Sequence, residues 1–281
     1  MNQSLFSQFA VLFVVTCVLG LLVASTFIHE NVQVTIVNAD KESIENPIGL
    51  FAYILLATGV LLVLIKLLPK RSFLVFKILE GFALFYMVPV VLWALLVLFF
   101  NPVEFSAALE PLAILFIILR NAVPDHVLLR NAATIILAAG IGAVLGTGIG
   151  TIPILMFLAV MSIYDYIAVF KTKHMVTLAK AVTEKNLSFT FALPTPDHQF
   201  ELGTGDIVLP LAFAVSVLHQ YAGTLAYPNY WLPPIVILGA AFVGLFITIN
   251  YASKRIGKAL PALPIQAILM ILAYAAMQFL I

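Results

Sequence analysis

Long uninterrupted runs of apolar residues alternate along the chain with short breaks that carry charge or proline. Crossing the hydrocarbon of a bilayer takes roughly 20 apolar residues of helix. Measured against that length, the pattern predicts nine membrane spans, over 5–28, 47–69, 73–100, 105–120, 131–150, 152–171, 206–226, 231–252 and 261–280. The fourth is the shortest. One break is long, 172–205. Its first part, "KTKHMVTLAKAVTEKN", predicts a short amphipathic surface helix; its second, "LSFTFALP", alternates and is rich in β-formers, which predicts a short strand.

Composition agrees: of 281 residues 63% are hydrophobic and 10% charged, where soluble domains run near half and a quarter. The fold class expected is an all-α polytopic membrane protein. A net charge of +1 without any basic run gives no reason to expect a nucleic-acid partner. The single cysteine, Cys17, excludes an intrachain disulfide and a zinc knuckle. The first run, Phe6 to Ile28, lacks a positive leading segment and exceeds a signal-peptide core, so it is expected to stay as a transmembrane helix.

Lysine and arginine test the span count, because they collect on the cytoplasmic side. Lys66, Lys70, Arg71 and Lys77 fall in or beside the second connection, Arg120 and Arg130 the fourth, Lys171, Lys173, Lys180 and Lys185 the sixth, and Lys254, Arg255 and Lys258 the eighth. Thirteen of the fourteen basic residues then share one side, and only Lys41 lies opposite, in an acidic connection with Glu30, Asp40, Glu42 and Glu45. Omitting the fourth span would scatter them. The expected topology is multi-pass in the cell membrane, N-terminus cytoplasmic and C-terminus external.

Acidic residues within the apolar runs are few: Glu80, Glu110, Asp165 and Asp206. Ionisable groups in hydrocarbon are costly enough to imply a task or a partner. Glu80 has Lys77 three residues away for a local ion pair, and Glu110 lies near enough to the external boundary to reach headgroups. Asp165 has no basic residue within a helical turn and lies roughly 9 Å below the cytoplasmic boundary set by Lys171. Asp206 opens the seventh span from that same side, so topology alone puts both aspartates in one leaflet. Two carboxylates within hydrogen-bonding reach share a proton, giving an acid and a base as in an aspartic-protease dyad. Proton or sodium transport is another use of such groups, and spacing does not separate the two.

Around the aspartates, Gly203 and Gly205 in "GTGD" give the backbone freedom to leave helical geometry and approach another chain closely. Asp206 is expected at a helix N-terminus. In "KALPALPIQ", Pro261 and Pro264 keep the approach to the last span extended, with the small Ala262 between them. Pro261 as a simple helix-starting proline is the plainer alternative.

"YD" at Tyr164 and Asp165, "GTGD" at Gly203 to Asp206 and "PALP" at Pro261 to Pro264, in this order on a nine-helix plan, resemble the presenilin and signal-peptide-peptidase family of GxGD intramembrane aspartyl proteases. The orientation read from charge resembles the presenilin branch, and the short archaeal homologues within it. The resemblance implies that Asp165 and Asp206 form the catalytic pair, that Tyr164, Gly203, Thr204 and Gly205 belong to the site, and that Pro261, Ala262 and Leu263 shape it and receive substrate. It implies no cofactor and no metal, transmembrane proteins as substrates, the bilayer as medium, and activity without accessory subunits. Thr204 departs from the leucine usual in eukaryotic presenilins, which bears on substrate preference. The domain plan expected is a six-helix part over 1–171 with the first aspartate, a cytoplasmic connection over 172–205, and a three-helix part over 206–281 with the second aspartate and the PAL motif.

Other proteolytic chemistries lack their residues. After His29 and Glu30 the second histidine of H-E-x-x-H is replaced by Gln33, no serine has a G-x-S-G setting, and "IVLPLAF" follows Asp206 where prepilin peptidases have a basic residue. "GIGAVLGTGIG" lacks the lysine and strand of a nucleotide loop. Gly142, Gly146 and Gly150 instead form a small-residue face suited to internal helix packing. Tyr164 and Tyr166 are expected to pack or lie at the interface, and His219 to hydrogen-bond internally. The alternative that remains is a proton-coupled transporter with a broken helix.

Overall fold

The computed structural model describes residues 3–67, 72–100, 107–172, 187–195, 199–253 and 260–280. Among the described residues are nine α-helices: α1 Gln3–His29, α2 Glu45–Leu67, α3 Ser72–Phe100, α4 Glu110–Ala122, α5 Val127–Gly148, α6 Thr151–Phe170, α7 Gly205–Ala222, α8 Leu232–Ser253 and α9 Leu263–Leu280. Strands β1 Thr190–Pro194 and β2 Gln199–Gly203 form an antiparallel hairpin between α6 and α7. Among the described residues seven helices are long and apolar enough to cross a membrane, and Leu263–Phe279 in α9 is a shorter apolar helix. The fourth expected span differs most. After a short 3₁₀ turn at Ala107–Leu109, α4 has only 13 residues, about 20 Å of rise and less than a hydrocarbon core.

The strand expected within 187–194 is present as β1. Its partner β2, which runs directly into the GTGD segment, was not legible as a strand. The amphipathic helix expected over 171–186 falls largely outside the described residues, as do Lys70, Arg71, Lys173, Lys180, Lys185, Lys254, Arg255 and Lys258.

Helix α7 is the axis of the bundle. Every residue from Ile207 to Leu218 is buried, against α1, α5, α6 and α8. Small residues on the neighbours allow this approach. A side chain at Gly142 or Gly20 would run into Leu211, and one at Gly146 would meet the Ala212 carbonyl and Val215. The Gly142 and Gly146 face is therefore the α5 surface on which α7 lies. Gly150, next in that series, is closed off by the Glu42 carboxylate of the α1–α2 connection, and its N–H donates to the Lys41 carbonyl at 2.8 Å. Outward faces are apolar, as in Tyr53, Leu56 and Val60 of α2, which suits lipid contact.

Candidate active site

The hairpin rests on one face of the α5 N-terminal half. Asn131 donates from Nδ2 to the Ala192 carbonyl at 2.9 Å and accepts the Ala192 N–H at 2.8 Å, acting as an extra strand residue on the outer edge of β1. One turn away, the Thr134 hydroxyl donates to the Thr190 carbonyl at 3.2 Å. Arg130, almost wholly buried, forks onto the Glu201 carboxylate of β2, donates to the Thr190 hydroxyl, and reaches the Leu187 carbonyl at 3.1 Å. A second buried arginine anchors the chain just before β1: Arg120 donates to Ser188 Oγ at 2.9 Å and faces Glu80 at 3.5 Å, while Glu80 accepts the Ser188 N–H and pairs with Lys77 at 3.2 Å.

The Lys77 pair is the local one expected. Arg120 and Arg130, counted in sequence as loop charges that mark a membrane side, are instead buried struts. A charge count cannot tell an arginine that faces solvent from one that holds a strand.

Both aspartates lie at the hairpin end of the bundle. Asp165 sits near the C-terminus of α6 and Asp206 in the first turn of α7, two helices that pack together. The carboxylates are within electrostatic reach of one another. The backbone N–H of Gly203 is directed at the Asp206 carboxylate, and those of Ala262 and Leu263 at the Asp165 carboxylate. Asp165 Oδ2 is buried without a hydrogen-bond partner among the described residues.

The PALP segment reaches this site as a short extended stretch. Residues 260–262 have no regular structure and α9 begins at Leu263, so Pro264 occupies its first turn and Pro261 precedes it. Ala262 and Leu263 are buried against the rest of the site. Ser162, one turn before Asp165, lies 3.5 Å from the Leu263 carbonyl. Gln266, fully buried, donates from Nε2 to the Asp206 main-chain carbonyl at 3.2 Å. The PALP stretch thus contacts the side chain of one aspartate, and the next turn of α9 the backbone of the other.

In GTGD, Gly203 ends β2 and Gly205 opens α7. Neither has a left-handed φ, and Gly205 lies in the first turn of α7. A Cβ at Gly203 would lie in ordinary contact with Asp206 Oδ2, at 3.4 Å, and the surroundings of Gly205 are open. Thr204 joins the hairpin to α7: its N–H and hydroxyl both donate to the Phe189 carbonyl, and its own carbonyl accepts the Ile207 and Val208 N–H groups.

Tyr164 turns toward α2, where its ring meets Phe51 edge-on at 5.8 Å and its hydroxyl bonds Thr58. It is a packing tyrosine that joins α6 to α2. His219 is exposed, not internal as expected, with the Lys41 amine 3.3 Å from Nε2 at the opposite end of the bundle. Glu110 is exposed in the first turn of α4. Residues that sequence reasoning missed are Arg130, Asn131, Thr134 and Glu201, which hold the hairpin, and Ser162 and Gln266, which hold the PAL segment. Gln266 had one visible signal: it is an amide in the first turns of a largely apolar helix, immediately after PALPI.

A polytopic helical bundle with two aspartates on adjacent helices, at one end and beside a strand edge, defines a membrane protein with a half-buried carboxylate pair. Residues 10–201 match the family model described as signal-peptide peptidase, presenilin aspartyl protease, and the chain belongs to that family. The match includes Asp165 and stops before Asp206. Two crystal forms of a presenilin family intramembrane aspartate protease share the fold. The C222 form has TM-score 0.63 and 22% identity, over 95% of this chain and 94% of the other. The P2 form has TM-score 0.61 and 23% identity, over 95% and 96%. No curated protein matches the chain significantly. The protein is an intramembrane aspartyl protease, a multi-pass membrane protein whose substrates are membrane proteins.

Proposed function

We propose that Asp165 and Asp206 are the catalytic pair of a GxGD-type site, and that a substrate transmembrane segment is cleaved after being drawn out along the outer edge of β2. The observation that carries this is the convergence of three separate chain segments on the two carboxylates: each aspartate within the other's field, Gly203 directed at Asp206, and the Ala262 and Leu263 amides at Asp165.

The chemistry follows from charge. Two neighbouring carboxyl groups hold one proton between them. The ionised member removes a proton from water, whose oxygen bonds to the scissile carbonyl carbon, while the protonated member donates to the carbonyl oxygen. Collapse of the tetrahedral diol breaks the C–N bond: one diol hydroxyl returns its proton to the ionised member while the amine nitrogen takes the proton of the protonated member, and the starting protonation state returns.

A helical substrate hides its amides in its own hydrogen bonds, so it must be unwound first. The hairpin supports a means. Ala192 uses both backbone groups on Asn131, so Ala192 and its partner Glu201 form a pair whose N–H and C=O point away from the shared ladder. The outer edge of β1 is filled by α5; that of β2 supplies Glu201 to an added strand and ends at Gly203, beside Asp206. Pro261, Ala262 and Leu263 shape the other side, with Thr204 and Gly205 joining edge to helix and Tyr164 holding α6 on α2.

The basic residues other than the buried Arg120 and Arg130 favour a cytoplasmic site and an external C-terminus, in a protein of the cell membrane. The six-helix part to 171, the connection over 172–205 and the three-helix part from 206 describe a single chain that works without accessory subunits. In detergent with a single-span peptide substrate, Asp165→Ala and Asp206→Ala are each expected to abolish fragment formation while leaving thermal unfolding cooperative; full cleavage by either variant overturns the assignment.

A further inference from the structure

The first turn of α7 has a defect built into its sequence. Pro210 stands four residues after Asp206 inside the helix. Proline has no N–H, and its ring crowds the carbonyl one turn back. The Asp206 carbonyl is therefore denied its intrahelical partner, in a part of the bundle where Ile207 to Pro210 are all buried. An unpaired carbonyl in such surroundings is costly.

Gln266 supplies the missing donor. Its Nε2 lies 3.2 Å from the Asp206 oxygen, and its Oε1 is buried with no partner among the described residues. The side chain is fully buried, and among the described residues this is the one hydrogen bond its amide makes. Its backbone is set close by Gly244 of α8, where any Cβ would lie 2.8 Å from Gln266 Cα. The bond joins two functional parts, because Gln266 is three residues beyond Leu263 on α9 and Asp206 carries the carboxylate.

We infer that Gln266 is a positioning residue for proteolysis: it replaces the N–H that Pro210 withholds and so fixes the Asp206 backbone to the PAL-bearing end of α9. The inference rests on Asp206 being catalytic. It has a specific consequence, since an alanine at 210 restores a main-chain N–H and makes the glutamine dispensable.

The test is a double-mutant cycle on the full-length enzyme in detergent, with a single-span peptide substrate and kcat and KM measured separately. Gln266→Met keeps length and removes the donor; it is expected to lower kcat by about tenfold or more, with KM changed by less than about threefold. In the Pro210→Ala background the same substitution is expected to lower kcat by no more than about threefold. Gln266→Asn, which keeps an amide too short to reach, should behave as Gln266→Met does and covers the case in which methionine disturbs folding. A fully active Gln266→Met or Gln266→Asn enzyme overturns the inference. So does an equal loss in both backgrounds, which would make Gln266 a packing residue only. Cleavage by Asp206→Ala would instead remove the reading beneath it, an outcome read separately from the cycle.

Discussion

Asn131 and Ala192 pair through two hydrogen bonds, at 2.9 and 2.8 Å, in which a helix side chain takes the place of a neighbouring strand. This one contact decides which edge of the hairpin is closed. It holds the hairpin on α5 by the β1 side and leaves the Glu201 backbone groups of β2 pointing away from β1.

Replacing Asn131 by leucine leaves the N–H and C=O of the buried Ala192 without partners. Each unsatisfied group costs about 1–3 kcal/mol. The expected outcome is a lower unfolding temperature and a reduced kcat/KM for single-span substrates, both measurable on detergent-purified protein. A variant with the stability and cleavage rate of the parent would show that α5 does not hold the strand.

The sequence disclosed apolar periods and rare residues, and each kind of signal had its own limit. Span positions were legible because hydrocarbon thickness fixes helix length; α4 was overestimated because an apolar run beginning near 105 contains a 3₁₀ turn at Ala107–Leu109 before the helix starts. Asp165, Asp206 and the PALP stretch stood out because charge and paired prolines are rare in such a chain. Arg130 and Glu201 were invisible as partners, since 71 residues separate them and only the fold brings them together. β2 was hidden for a related reason: "QFELG" is half exposed and short, and its strand character comes from pairing with β1 rather than from its own composition. Gln266 was visible but unassigned, because its meaning depends on the absence of an N–H at Pro210, on a different helix.

Gly244→Ala tests whether the approach of α9 to α8 sets the site. The added carbon would lie 2.8 Å from Gln266 Cα and 3.0 Å from its nitrogen, both backbone atoms that cannot rotate aside. The first turn of α9 must therefore move, and the PAL segment with it. Overpacking of this kind costs about 1–3 kcal/mol, and the displaced PAL segment is expected to lower kcat by about tenfold or more. Gly239→Ala, in the same helix with nothing within 4 Å of its added carbon, is the control and should cleave at the parental rate. Equal activity of the two variants would mean that the α8–α9 contact does not position the site.

The proton count of the pair gives the last prediction. With both carboxyls protonated no base remains to activate water; with both ionised no acid remains to polarise the carbonyl. Only the singly protonated pair has one of each, so kcat should rise and then fall with pH, and its two limbs belong to the pair rather than to either residue. Asp165 and Asp206 lie within each other's field, and that repulsion separates the two steps and widens the plateau between them. Increasing the repulsion with a third carboxylate should move the falling limb: Thr204→Glu, beside Asp206 at the hairpin junction, discourages the second ionisation. The alkaline limb is expected to shift to higher pH, with the acid limb moving less. The measurement is initial cleavage rate at saturating substrate across the pH range where unfolding temperature stays constant. A profile that is monotonic over that range would mean that the two carboxylates do not share a proton.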